Sequence, residues 1–245
     1  MSGEAPRRAA VITGAARRVG AAVAEELAAA GYDLLLHHRG PPAEMDTIVR
    51  ACAAHGASVG LVSADLGTVD GARAVVAAAA DLPRVDVLVN NASVFRPVPF
   101  EQIDVEAWDH MQAVNLRAPF LLAQGLLPQL RAAGGLVVHL CDIGADRPVS
   151  GYAHYSVSKA GLVMLVKAMA VELAPAVRTV GVSPGHVVWP EAWDDEERDR
   201  QARRIPLGRV GHPDDVARLV RFLALEGTYI NGDVIAVDGG RACRY

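Results

Sequence analysis

The sequence predicts an α/β protein built on one doubly wound parallel sheet with helices on both faces. Three observations lead there. Short β-like runs alternate with helical stretches along all 245 residues. Those runs are apolar at successive positions rather than at alternate ones, the pattern of strands buried on both faces. No Pro/Gly/Ser-rich linker and no internal repeat divides the chain, so residues 1–245 read as a single domain.

The elements follow in order. "AAVITG" (9–14) is the first strand, and the Ala-rich "RRVGAAVAEELAAAG" (17–31) is the helix after it. "YDLLLHH" (32–38), "ASVGLVS" (57–63) and "VDVLVNN" (85–91) are three further strands, each followed by a helix. "GLVVHLC" (135–141), "VRTVGVS" (177–183) and "GDVIAVDGG" (232–240) complete seven β-α units in a seven-stranded parallel sheet. One charged insertion, "WPEAWDDEERDRQARRIP" (189–206), follows the sixth strand. It reads as a mobile helical lid over a substrate, with "DDEERD" as its solvated face.

Composition narrows the function classes. Half the residues are hydrophobic and 5% aromatic, enough for a core of Ala, Val and Leu. A net charge of −4 opposes a general nucleic-acid or anionic-membrane binder. Cys52, Cys141 and Cys243 are widely spaced and match no metal or disulfide framework, which suits reduced thiols in a cytoplasmic protein. The N-terminus carries no apolar leader segment, and no apolar run reaches membrane-spanning length.

The turn "VITGAARRVG" places Thr13, Gly14 and Gly20 between the first strand and the first helix. Glycine lets the backbone approach a ligand, and a helix N-terminus offers free N–H groups to a pyrophosphate. Many such turns are only tight connections; this one opens a βαβ unit, which favours a nucleotide. An NAD site commonly has an acid at the end of the second strand for the ribose 2′-hydroxyl. Here stand His37, His38 and Arg39, with Arg17 and Arg18 in the adjacent turn. Guanidinium groups suit a 2′-phosphate, so NADPH is the expected cofactor.

In "GYAHYSVSK", Tyr155 and Lys159 lie at i and i+4, on one helix face. A free tyrosine titrates near ~10, and a neighbouring ammonium favours its phenolate and its use as an acid–base group. Asp142 stands thirteen residues before Tyr155, directly after a strand.

Further motifs are spread along nearly the whole chain: "TGAARRVG", "ADL" (64–66), "NNAS" (90–93), "VNL" (114–116), "YSVSK", "SPG" (183–185) and "YINGDVIAVDGG". This set strongly resembles the short-chain dehydrogenases/reductases. The resemblance implies a Rossmann sheet and nicotinamide hydride transfer, with Asn115, Tyr155 and Lys159 as the proton-relay group. It implies a cofactor held by Gly14, Arg17, Arg18, Val19, Gly20, His38 and Arg39. It further implies Asp65 and Leu66 near adenine, Asn91, Ala92 and Ser93 along the cofactor, Pro184, Gly185 and Val187 near nicotinamide, and Lys159 on the nicotinamide ribose. Homotetramers are common in such proteins.

Where the usual motif has a middle glycine this chain has Arg18; NNAG reads NNAS; and the usual serine thirteen before the tyrosine is Asp142. Arg18, "NNASVF", Asp142 and Tyr155 together resemble the pteridine reductase branch, which reduces dihydropterins, and in some members folates, with NADPH. That branch implies Phe95 against the pterin ring, Arg18 near substrate and cofactor phosphate, and Asp142 with Tyr155 at the reacting nitrogens. Chemistry agrees with it. Ketone reduction builds negative charge on oxygen, which a carboxylate opposes; protonating a C=N nitrogen creates a cation that a carboxylate stabilises. The plainer reading of Asp142 is a turn or helix cap. Trp189 and Trp193 could face the pocket or merely pack the lid, and Arg244 could reach a neighbouring subunit's pocket. Two rivals remain: a ketone or alcohol oxidoreductase of oxoacyl or polyol type, and a non-catalytic NADPH-binding sensor.

Overall fold

The structure, a computed structural model, describes residues 7–189 and 193–243. Seven strands run through it: β1 Ala9–Ile12, β2 Asp33–His38, β3 Val59–Ser63, β4 Val87–Asn90, β5 Leu136–Leu140, β6 Arg178–Pro184 and β7 Val234–Val237. All neighbours pair in parallel in the order β3-β2-β1-β4-β5-β6-β7. The strand order reverses between β1 and β4. A ligand crevice is expected outside the carboxyl ends of those two strands.

Eight α-helices cover the sheet: α1 Arg18–Ala29, α2 Asp46–Ala54, α3 Val69–Ala79, α4 Val105–Gln112, α5 Ala118–Ala133, α6 Ala153–Glu172, α7 Asp195–Ala202 and α8 Pro213–Leu225. The strand period of two divides the core. On β1, Ala10 and Ile12 join Val23 and Leu27 of α1 and Val216 and Val220 of α8, whereas Val11 turns to Val75 of α3 and Leu122 and Leu126 of α5. Val87 and Val89 of β4 point to the first layer and Leu88 to the second. Each fully buried Val or Leu contributes about 1.5–3 kcal/mol of apolar burial, so the central strands are fixed in register from both sides.

The edges differ from the expectation of uniformly buried strands. β3 leaves Leu61 43% exposed, and no residue of β7 is fully buried, because each has only one neighbour. Among the described residues β7 is followed by a short 3₁₀ turn, Arg241–Cys243, rather than by the helix expected of a seventh β-α unit. α4 runs into α5 through a π-helical turn, Ala113–Arg117, which carries Asn115. Within the expected lid, α7 is a helix; residues 190–192 lie outside the described residues.

Helix starts show where donors are left open. Thr68, Asp104 and Asp194 accept N–H bonds at the starts of α3, α4 and α7, and His212 with Asp215 boxes the start of α8. The start of α1 has no side-chain cap. That uncapped terminus sits at the reversal point of the sheet.

Candidate active site

The turn after β1 is tied to the turn after β4. Asn91 Nδ2 donates to the carbonyls of Thr13 and Gly14, both at 2.9 Å, while Thr13 Oγ1 accepts from the N–H groups of Asn91 and Ala92 at 3.0 Å. Gly14 adopts φ +64°, and a Cβ on Gly20 would lie 2.2 Å from the Gly14 carbonyl oxygen. Neither position accepts a larger residue without moving the turn. His37, buried, accepts from the Gly14 N–H through Nδ1 (3.1 Å) and its Nε2 lies 3.0 Å from the Ala64 carbonyl. Burial lowers its pKa, so it is a neutral brace and offers no charge to a phosphate.

These turns frame a cleft of about 490 Å³. Its lining gathers Gly14, Arg17, Arg18, Val19, Gly20, His38, Arg39, Asp65, Leu66, Asn91, Ala92 and Ser93. Pro184, Gly185 and Val187 are not in that lining; they lie at and beyond the end of β6, where Gly185 N donates to the Val237 carbonyl (3.0 Å). The cleft also holds Glu44, from the turn Pro42–Met45. The sequence reading finds no acid at the end of the second strand; the structure supplies one six residues further on, which the chain pattern did not signal. Arg18 has φ +54°, the left-handed region that its usual glycine would occupy freely. The open α1 terminus, the glycine turn and the arginines fit a dinucleotide phosphate.

At the ends of β4 and β5 lies the reacting group. Tyr155, buried on the first turn of α6, donates its hydroxyl to Asp142 Oδ2 at 2.8 Å. The other carboxylate oxygen, Oδ1, accepts the Gly144 N–H at 2.6 Å. Asp142 is therefore both a turn cap and the tyrosine's partner. Burial first, then the Asp142 charge and its hydrogen bond, hold Tyr155 well above the ordinary tyrosine range. The expected pull of Lys159 toward phenolate is not among the causes of this shift. Lys159 Nζ is 5.8 Å from the Tyr155 ring centre and donates to the Leu140 carbonyl at 2.7 Å. Burial lowers the Lys159 pKa, against the pull of Asp142.

Asn115 bridges three elements. Its Oδ1 accepts from Val94 N (2.8 Å) and Ser93 Oγ (3.1 Å), and its Nδ2 donates to the Val94 carbonyl and Ser158 Oγ, both at 3.0 Å. The π-helical turn places this amide so that it pins the loop after β4 against α6. Beneath it, His139 on β5 lies beside Asn90 on β4 (3.3 Å); burial and Lys159 push its pKa down to about 3.

Phe95 is 56% exposed and stacks on Tyr152 at 4.3 Å, with its edge toward Tyr155 at 4.7 Å. Tyr152, one helical turn before Tyr155, is the aromatic that sequence reasoning missed; its i, i+3 spacing was the available signal. Opposite, His186 lies 5.3 Å from Trp189 and 5.4 Å from Trp193, and the two indoles are 5.7 Å apart. Burial and Arg241 lower the His186 pKa while Asp142 raises it. Arg244 lies outside the described residues. Among the described residues, no group of three His, Cys, Asp or Glu side chains could hold a metal ion, and no helix is long and apolar enough to cross a membrane.

Comparisons with known proteins bear on the family and the fold. The family model described as enoyl-(acyl carrier protein) reductase, of the adh_short_C2 type, matches residues 14–242. The 3-oxoacyl-[acyl-carrier-protein] reductase FabG of Staphylococcus aureus is 32% identical over 239 residues, covering 95% of this chain and 97% of that protein. Among solved structures, a short-chain dehydrogenase/reductase from Serratia marcescens superposes with a TM-score of 0.89 at 30% identity, covering 96% of this chain and 98% of that one. Acetoin dehydrogenase from Enterobacter cloacae gives a TM-score of 0.91 at 28% identity, with 99% and 98% covered. The chain belongs to the short-chain dehydrogenase/reductase family and is an oxidoreductase of that family.

Proposed function

We propose that the protein is an NADPH-dependent reductase of a pterin-type substrate, a 7,8-dihydropterin or dihydrofolate, acting on a ring C=N bond. The observation that carries this reading is the 2.8 Å hydrogen bond from Tyr155 to Asp142. Arg17, Arg18 and Arg39 would hold the cofactor's 2′-phosphate, and the start of α1 its pyrophosphate. A bound nicotinamide supplies the hydride. Asp142 stabilises positive charge on the substrate ring nitrogen, and that nitrogen takes the Tyr155 proton as the C=N π pair moves onto it. Solvent restores the proton to Tyr155 by way of Asp142. Lys159 orients the nicotinamide ribose, and Asn115 keeps the loop carrying Phe95 in place. Phe95 offers an exposed flat face to a heterocycle. Residues 189–206 act as the lid, and the same proposal includes a homotetramer, for which α6 leaves Val157, Met164 and Val171 exposed.

A second reading is an NADPH-dependent ketone or alcohol oxidoreductase of oxoacyl or polyol type. The names of the relatives support it better than they support pterin reduction. In it Tyr155 donates to an alkoxide, and Asp142 stands where it opposes the developing charge.

NADPH oxidation with dihydrobiopterin and dihydrofolate, beside acetoin and an acetoacetyl thioester, separates the two. The proposal expects pterin-dependent oxidation with NADPH preferred to NADH. Oxidation with carbonyls alone would replace it by the second reading.

A further inference from the structure

The cofactor reading leaves one charged residue of the cleft without a part. Glu44 lines the same cleft as Arg17, Arg18 and Arg39, yet its charge has the same sign as a 2′-phosphate. The chain around it fixes its place. Pro41 and Pro42 lead into the 3₁₀ turn Pro42–Met45, where Glu44 N donates to the Pro41 carbonyl at 3.1 Å. Met45, the next residue, is fully buried in the core layer that holds Val23 of α1 and Ile48 of α2. The prolines restrict the backbone and Met45 anchors it, so the turn holds the acid at the cleft.

Gly40 makes the seat for the carboxylate. A Cβ on Gly40 would lie 2.6 Å from Glu44 Oε2 and 3.1 Å from Oε1. The acid therefore rests where a side chain two residues past the end of β2 would stand. The Gly40 carbonyl is itself held, 2.8 Å from His38 Nδ1. A carbonyl only accepts, so Nδ1 carries the ring proton, and the neutral ring has no second N–H for a phosphate. His37 has both nitrogens engaged, with Gly14 N and the Ala64 carbonyl. Asp65, the other acid of the lining, is turned to its own loop and accepts from Gly67 N at 2.9 Å. The charged side chains beyond β2 are thus of two kinds. The arginines suit a phosphate, and Glu44 suits a hydroxyl.

We propose that Glu44 is the cofactor-discriminating residue of this cleft: it accepts from the ribose 2′-hydroxyl of NADH and disfavours a 2′-phosphate, so the protein uses NADH beside NADPH. The proposal rests on the cleft as the dinucleotide site, and it is independent of the pterin reading. It also says why the preference for NADPH is limited: the arginines and Glu44 pull the choice in opposite directions.

The test measures binding first, by calorimetry of NADP+ and NAD+ on the full chain without substrate. It compares wild type with Glu44→Gln, Gly40→Ala and Arg39→Gln. In Glu44→Gln the affinity ratio of NADP+ to NAD+ should rise at least about tenfold, because the repelling charge is gone and the hydroxyl loses a charged acceptor. Gly40→Ala keeps the acid but displaces it from its seat, and should raise the ratio by a smaller factor. The ratio of kcat/KM for NADPH over NADH should move the same way with dihydrobiopterin or acetoin, whichever is turned over. An unchanged ratio in Glu44→Gln, or an equal change for both nucleotides, overturns the role of Glu44, and an unchanged ratio in Gly40→Ala contradicts the seat described for it. Loss of NADP+ preference in Arg39→Gln alone would support the arginines without supporting Glu44. If neither nucleotide binds the wild type, the dinucleotide site fails and the proposal with it.

Discussion

Replacing Asp142 with Asn tests the carboxylate while keeping its shape. The wild-type side chain uses both oxygens, one for Gly144 N and one for the Tyr155 hydroxyl. An amide has a single oxygen, so one of the two bonds must be lost together with the charge. A hydrogen bond to a charged group contributes about 1.5–3 kcal/mol, or about 10- to 150-fold in rate when it acts only in the transition state. We therefore expect kcat/KM for a dihydropterin to fall by about 10- to 150-fold. Carbonyl substrates should hold or gain, because the charge that opposes an alkoxide is gone. Loss of the cap costs about 0.5–2 kcal/mol, a melting-point change of about 1–8 °C for a chain of this size, so a folded variant remains for assay. Steady-state NADPH oxidation on both substrate types, beside a thermal melt, reads all of this. Unchanged pterin turnover in a folded variant would refute the role given to Asp142.

Other perturbations address the rest of the account. Arg39→Gln should raise KM for NADPH at least about tenfold while leaving NADH little affected; an equal change for both cofactors would remove Arg39 from the 2′-phosphate. Arg18→Gly should relieve a left-handed residue, worth about 1–2 kcal/mol, against about 0.5–1 kcal/mol of added chain entropy. Its melting point should hold or rise while pterin turnover drops, and a drop in both would make Arg18 structural. Asp215 accepts from Arg209, His212 N and Arg218, with hydrogen bonding to Arg209 the first cause that lowers its pKa from 3.8 to about 2. The folded pKa is depressed, so its contribution is present above about pH 4 and is lost as pH falls through about 2. Asp215→Ala should cost about 1 kcal/mol at neutral pH, and its gap from wild type in chemical denaturation should close on acidification. A gap independent of pH would sink that assignment.

Local pattern made the seven strands and most helices legible, because burial on two faces leaves continuous apolar runs that a single strand displays by itself. The ends were less clear: "VDVLVNN" pairs only over Val87–Asn90, since its last residue leaves the ladder to tie down the Thr13 turn. The strand order was not in the pattern, as crossovers depend on which helices cover which face. Motif spacing grouped the nucleotide and reacting residues along the chain, but did not give their contacts in space. The Gln112–Ala118 stretch reads as plain helix, and nothing local announces the π-helical turn that aims Asn115. Glu44 in the cleft and the stacking of Phe95 on Tyr152 are likewise long-range outcomes. Charge balance around Tyr155 also needed three dimensions. Lys159 is four residues away in sequence, yet burial first, and then Asp142 thirteen residues away, raise the pKa of the phenol.

The most direct test of the central claim follows the hydride itself. Deuterium-labelled NADPH, incubated with the protein and a dihydropterin, should deliver its label to the ring carbon of the tetrahydropterin product, read by mass spectrometry. Label appearing in the alcohol from acetoin, and none in any pterin, would contradict it.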